Sequence, residues 1–166
     1  MDYENIFDCI MADEINAVIK LIESGLDIET RDDYGWTALH KASSYGRLEI
    51  VKYLIRHEAD IESMDEGGCR PLHIASMYVN LDIVQYLVEM GANIETKDED
   101  GDTPLNTASI CGNLENIKYL IQRGADIHSK NNIGISTYER ETKRKVNQEI
   151  IELMEGGGVA TKSAYN

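Results

Sequence analysis

The sequence predicts an all-α solenoid of repeated helix-turn-helix units joined by short hairpin fingers. Three observations predict it. First, the segments Thr37-Ala38-Leu39-His40, Arg70-Pro71-Leu72-His73, Thr103-Pro104-Leu105-Asn106 and Ser136-Thr137-Tyr138-Glu139 stand 33 residues apart, with no insertion or deletion between them. A period of that size marks a stacked array of small units rather than a single globule. Second, an apolar stripe at helical spacing follows each of the first three segments. Third, glycine-bearing turns recur at fixed offsets between the stripes.

The second unit shows how these features generate a helix pair. Asp32-Asp33-Tyr34-Gly35 is a turn. Thr37 offers an N-cap, and in the sister units Pro71 and Pro104 take the first helical position, where a missing N–H costs nothing. A short helix follows with Leu39 and Ala42 on one face, and Gly46 can close it in a left-handed conformation. Leu48, Val51, Leu54 and Ile55 then form the stripe of a second helix. The third unit repeats that stripe as Leu81, Val84, Leu87 and Val88, and the fourth as Leu114, Ile117, Leu120 and Ile121. The tetrads Gly91-Ala92-Asn93-Ile94 and Gly124-Ala125-Asp126-Ile127 end two units. Neither helix of a pair can bury its stripe without a neighbouring unit.

With these motifs in register, the chain resembles an ankyrin repeat protein over about residues 4–158. The resemblance rests on Thr37-Ala38-Leu39-His40-Lys41-Ala42 and its two sister segments, Arg70-Pro71-Leu72-His73-Ile74-Ala75 and Thr103-Pro104-Leu105-Asn106-Thr107-Ala108. It also rests on Gly46-Arg47-Leu48-Glu49-Ile50-Val51-Lys52-Tyr53-Leu54-Ile55. It implies one ankyrin repeat domain over 1–158, with units at about 4–36, 37–69, 70–102, 103–135 and 136–158, and a flexible tail over 159–166.

The terminal units depart from the pattern. The first keeps Val18, Leu21, Ile22, Gly25 and Asp27-Ile28 but has Glu4-Asn5-Ile6-Phe7 where the helix-opening motif belongs. The last keeps Ile150, Leu153 and Met154, yet puts Glu141 at a buried-Ala position and Lys145 at the closing-Gly position. Such substitutions are expected to give the ends a polar outer face, making three inner repeats and two caps. Inside the array Glu58 and Val79 each replace a helix-closing Gly, and the neighbouring His57 and Asn80 are the residues able to shift and absorb the turn. Arg70 removes one side-chain cap.

Composition bounds the function. The chain has 166 residues, 42% hydrophobic, with one Phe and one Trp. Its net charge is −14; residues 1–129 hold 10 basic against 25 acidic side chains. An acidic body disfavours nucleic acid and anionic membrane as partners and favours a basic protein patch. There is no transmembrane run, no signal-peptide pattern and no Asn-x-Ser/Thr acceptor. Cys9, Cys69 and Cys111 lack metal-ligand spacing and, being odd in number, do not suggest a disulfide framework. The expectation is a cytoplasmic monomer.

No catalytic constellation emerges, and no cofactor or metal site is expected. The resemblance gives His40 and His73 a structural role, bonding the helix start and nearby backbone; His73 has lost its Thr partner to Arg70. His57 and His128 fall on the loop side. Asp98-Glu99-Asp100-Gly101-Asp102 resembles part of a calcium loop, but Thr96 and Thr107 stand where the first and last ligands belong, so it reads as a solvated acidic turn. Cys69 lies on a turn and is expected to be exposed, with only Arg70 beside it to activate the thiol.

Ankyrin proteins bind through finger tips and the first-helix face, which form a concave groove. The corresponding positions here are Asp33, Tyr34, Trp36, Ser44 and Tyr45, then Glu66, Gly67, Cys69, Met77 and Tyr78, then Glu99, Asp100, Asp102, Ile110 and Cys111. Aromatic anchors among polar neighbours resemble binding hot spots. Alternatively, Trp36 covers the base of its finger, and Tyr45 and Tyr78 pack against the next repeat. The function implied is a non-enzymatic module that captures a basic protein or peptide. The other readings are a self-associating structural element, or the targeting part of a larger effector.

Overall fold

The period resolves into helix pairs in a computed structural model whose described residues are 5–144 and 148–156. Those residues form α1 (Ile6–Met11), α2 (Ile15–Glu23), α3 (Ala38–Ser44), α4 (Leu48–Arg56), α5 (Pro71–Met77), α6 (Leu81–Glu89), α7 (Pro104–Cys111), α8 (Leu114–Gln122), α9 (Thr137–Arg144) and α10 (Gln148–Gly156). The expectations for Lys145 and for the tail 159–166 lie outside the described residues. Odd-numbered helices pack side by side in one layer and even-numbered helices in a second.

Four of the five helices of the first layer start where the sequence supplies an acceptor, α5 at Arg70 being the exception. Thr37, Thr103 and Ser136 hydroxyls accept from the amides of His40, Asn106 and Glu139 at 3.5, 3.2 and 3.2 Å. At the non-consensus start Asn5 does the same, its side chain accepting from Asp8 N at 3.0 Å. Leu39, Leu72 and Leu105 bury completely between the layers against Val51, Leu54, Val84, Leu87, Ile117 and Leu120. Each buried Leu or Ile contributes about 1.5–3 kcal/mol relative to exposure. No single unit could supply both sides of that core.

Between pairs the chain turns out into a finger. Asp65 N donates to Cys69 O at 2.9 Å, and Asp98 N donates to Asp102 O at 3.1 Å. Successive fingers then bond to each other, with Glu99 N donating to Gly67 O at 3.0 Å and Asn132 N to Asp100 O at 2.9 Å. Gly101 at the tip of the third finger has φ +74°, and a Cβ there would come within 3.0 Å of Asn132 N. Backbone conformation and close approach both require glycine there.

Two further contacts repeat with the period. The amides of Asp60, Asn93 and Asp126 donate to Glu29, Glu62 and Glu95, each at 2.8 Å. On the opposite edge Asn80 Nδ2 reaches the Ser43 and Ser44 carbonyls at 2.8 and 3.2 Å, and Asn113 Nδ2 those of Ser76 and Met77 at 2.9 and 2.7 Å. These side chains satisfy carbonyls that a helix end leaves without partners.

Three local expectations are corrected. Glu141 does not give the last unit a polar outer face. It is only 4% exposed and turns inward, accepting from Ser109 Oγ at 2.5 Å. Glu58 takes the left-handed conformation itself, φ +67°, so His57 does not absorb the turn. At Val79 no left-handed residue forms. Tyr78 becomes extended (φ −102°, ψ 163°) and Asn80 N closes onto Tyr78 O at 2.9 Å. Buried Asn116, at the position of Ile50 and Ile83 in the sister units, also donates to Tyr78 O at 2.9 Å. A polar residue in an apolar stripe thus accompanies the altered turn.

Candidate protein-interaction surface

The two histidines bind the array together. His40 Nδ1 accepts from Thr37 N at 3.2 Å, while Nε2 lies 3.0 Å from Cys69 O in the next finger. His73 accepts from Arg70 N at 3.2 Å and reaches Thr96 O and Asp102 O at 3.2 and 3.1 Å. An Nδ1 that accepts and an Nε2 that donates define a neutral imidazole. Burial, opposed by those carbonyls, pushes His73 down to about 4 and also lowers His40.

Residues 36, 69 and 102 occupy one register position, and each reaches the following finger. Trp36 Nε1 donates to Asp65 Oδ2 at 3.0 Å. The Cys69 thiol points at Asp98 Oδ2, 3.8 Å away. Asp102 Oδ1 accepts from Asn131 Nδ2 at 2.9 Å. These contacts correct two expectations. Cys69 is half-buried rather than exposed, and burial with Asp65 and Asp98 nearby pushes its thiol up to about 12, the opposite of activation. Asp102 is only 7% exposed, so the acidic run is not uniformly solvated. Burial likewise raises Asp98, leaving Glu99 and Asp100 as the exposed acids of that finger.

The remaining candidates divide into two groups. Tyr34, Trp36, Tyr45, Glu66 and Tyr78 line one open cleft of about 640 Å³, bounded by the first and second fingers and the ends of α3 and α5. Tyr34 is 71% exposed, Tyr45 45% and Tyr78 42%; Trp36 is half-buried. Asp33, Glu99 and Asp100 are exposed on finger tips, Ile110 is exposed at the end of α7, and Met77 is half-buried at the end of α5; none of the five lines the cleft.

Sequence reasoning missed Lys41 and read Asp65 only as one of the acidic finger tips. Lys41 pairs with Asp32 at 3.1 Å and sets its ammonium 5.1 Å from the centre of the Trp36 ring. Burial pushes the Asp32 carboxyl up, but the Trp36 and Tyr34 amides and Lys41 outweigh it and hold it below its ordinary value. Asp65 accepts from the Gly67 and Cys69 amides at 2.9 and 2.8 Å besides the indole. The signal for Asp65 was its place one period after Asp32. That for Lys41 was a cation four residues beyond Thr37 on the first-helix face.

A stack of helix pairs presenting fingers and an inner helix layer is a repeat-built recognition scaffold. This chain belongs to the ankyrin repeat family, whose model, described as ankyrin repeats (3 copies), matches residues 6–98 and 64–131. Repeats of this family are protein–protein interaction modules. The chain is also similar to the E3 ubiquitin-protein ligase Ufd4 of Drosophila melanogaster, 42% identical over 53 residues covering 31% of this chain and 2% of that protein. It is similar to protein phosphatase 1 regulatory subunit 27 of Homo sapiens, 46% identical over 48 residues covering 29% of this chain and 31% of that protein. The Mus musculus form of that subunit is 42% identical over the same length and coverage. The chain therefore spans less than a third of the length of each of these relatives. No helix among the described residues is long and apolar enough to cross a membrane.

Proposed function

We propose that this chain is a non-enzymatic cytoplasmic interaction module that captures a basic protein or peptide through its concave finger and first-helix surface. The observation that carries the reading is the cleft itself. It gathers four aromatic side chains and two carboxylates, Asp65 and Glu66, on a chain of net charge −14. Aromatic rings give large contact area at low entropic cost, and the acidic surround accelerates encounter with a cationic partner. Nucleic acid and anionic membrane, both polyanions, fit that field poorly.

The protein carries its own reporter, since Trp36 is its single tryptophan and lines the cleft. Peptides selected from a random displayed library against the whole chain should shift Trp36 fluorescence. Their affinity should fall by at least about tenfold in the Tyr45→Ala/Tyr78→Ala double variant with its helical circular dichroism intact. Their association rate should fall as salt rises. Peptides that bind the double variant as tightly as the parent would remove the cleft from the function.

A further inference from the structure

The cleft already holds one cation against one of its rings. Lys41 lies 5.1 Å from the centre of Trp36, and its charge is committed to Asp32 at 3.1 Å. The other two acids are not matched this way. Asp65 has both oxygens occupied by neutral donors, the Gly67 and Cys69 amides and the Trp36 indole. It therefore acts as a fixed negative charge. Glu66 is exposed, and among the described residues its carboxylate has no ion-pair or hydrogen-bond partner. The same cleft is lined by Tyr45 and Tyr78, both exposed at the ends of successive first-layer helices.

Resting on the cleft reading above, we propose that this pocket is an arginine site. It takes a guanidinium from the partner against Tyr45 and Tyr78, with Glu66 accepting its N–H groups. A cation within about 6 Å of an aromatic face is stabilised by the ring quadrupole. A guanidinium suits this place better than an ammonium. It is weakly hydrated, lies flat on a ring and presents forked donors to one carboxylate, whereas an ammonium is a strongly hydrated point charge. The cleft's roughly 640 Å³ leaves room for the arginine stem and flanking backbone.

The test uses the whole chain and three small probes: N-acetyl-arginine amide, its lysine counterpart, and the neutral isostere N-acetyl-citrulline amide. The readout is the nuclear magnetic resonance shift of the Trp36 indole and Gly67 amide protons during titration. The arginine probe should shift both signals. The lysine probe should bind more weakly, and citrulline at least about fivefold more weakly. Glu66→Gln, an exposed change that spares the scaffold, should weaken arginine binding several-fold while leaving the fold unchanged. Equal shifts from citrulline, stronger binding of lysine, indifference to Glu66→Gln, or no shift with arginine at saturating concentration would each overturn the arginine assignment. Library peptides lacking basic residues that still bind at Tyr45 and Tyr78 would overturn it too, leaving the cleft as the binding surface but removing the basic partner.

Discussion

Trp36 donates its indole N–H to Asp65 Oδ2 at 3.0 Å, so the ring that lines the cleft also braces the second unit against the third. Binding surface and scaffold share that residue, and the two contributions separate by choice of substitution. Trp36→Phe keeps a ring and removes one hydrogen bond, and should cost about 1 kcal/mol in urea denaturation. Asp65→Ala also strips the acceptor from the Gly67 and Cys69 amides, and should cost about 2–3 kcal/mol. Equal losses from the two variants would show that the amide contacts contribute nothing.

Acid should weaken the stack through its histidines. His73 titrates near 6.5 when unfolded and is pushed down to about 4 when folded, chiefly by burial. Between those values the unfolded chain binds a proton that the folded chain refuses. Stability is therefore unaffected above about pH 6.5 and falls as pH drops toward 4, by up to about 3 kcal/mol. Asn106 occupies the same register position and makes the equivalent reach, donating to Ser129 O at 3.3 Å. His73→Asn should thus keep the fold at neutral pH and flatten the acid limb of stability measured by urea titration at several pH values. His40, also lowered by burial, supplies the remaining slope.

Val79 and Asn116 should behave as a coupled pair. Asn116 is 1% exposed and donates to the Tyr78 carbonyl in the glycine-free turn, while its own Oδ1 lacks a partner among the described residues. Asn116→Ile alone should be close to neutral or destabilising. In the Val79→Gly background the same change should stabilise, giving a double-mutant coupling of about 1 kcal/mol. Strict additivity in thermal or chemical denaturation would break the link.

Two helix-closing and finger positions should respond in opposite directions. Glu58 holds φ +67° with a side chain, so Glu58→Gly relieves strain and should stabilise, by under about 1 kcal/mol after the entropy of glycine is offset. Gly101→Ala should destabilise by more than about 2 kcal/mol, because its Cβ would meet Asn132 as well as a left-handed backbone. Calorimetric midpoints for the two variants check both signs.

The architecture was legible because it rests on local signals. The 33-residue spacing, the leucine stripes of α4, α6 and α8, and the caps at Thr37 and Thr103 each act within a few residues of themselves. Tyr34, Trp36, Tyr45, Glu66 and Tyr78 were legible as a group because the period projects them onto one side. What the sequence hid depends on partners a whole unit away. Cys69 and Asp102 read as finger-tip residues, yet their contacts are with Asp98 and Asn131, each 29 positions onward. Glu141 read as an outward cap, yet Ser109 lies 32 positions back and draws it inward. Asn5 read as a lost motif because the cap at that start is Asn rather than the Thr of α3 and α7.

The contacts of Glu29, Glu62 and Glu95 with the next unit's backbone are interchangeable by design of the register. Excising residues 70–102 would bring Asp126 N to the place of Asn93 N before Glu62, and Asn113 to the place of Asn80 beneath Ser43 and Ser44. Length in this molecule is therefore quantised. The chain can be shortened by one whole unit with these backbone contacts re-formed by equivalent residues, at the loss of the Arg70–Glu62 ion pair, whereas removal of 32 or 34 residues leaves no seam that closes.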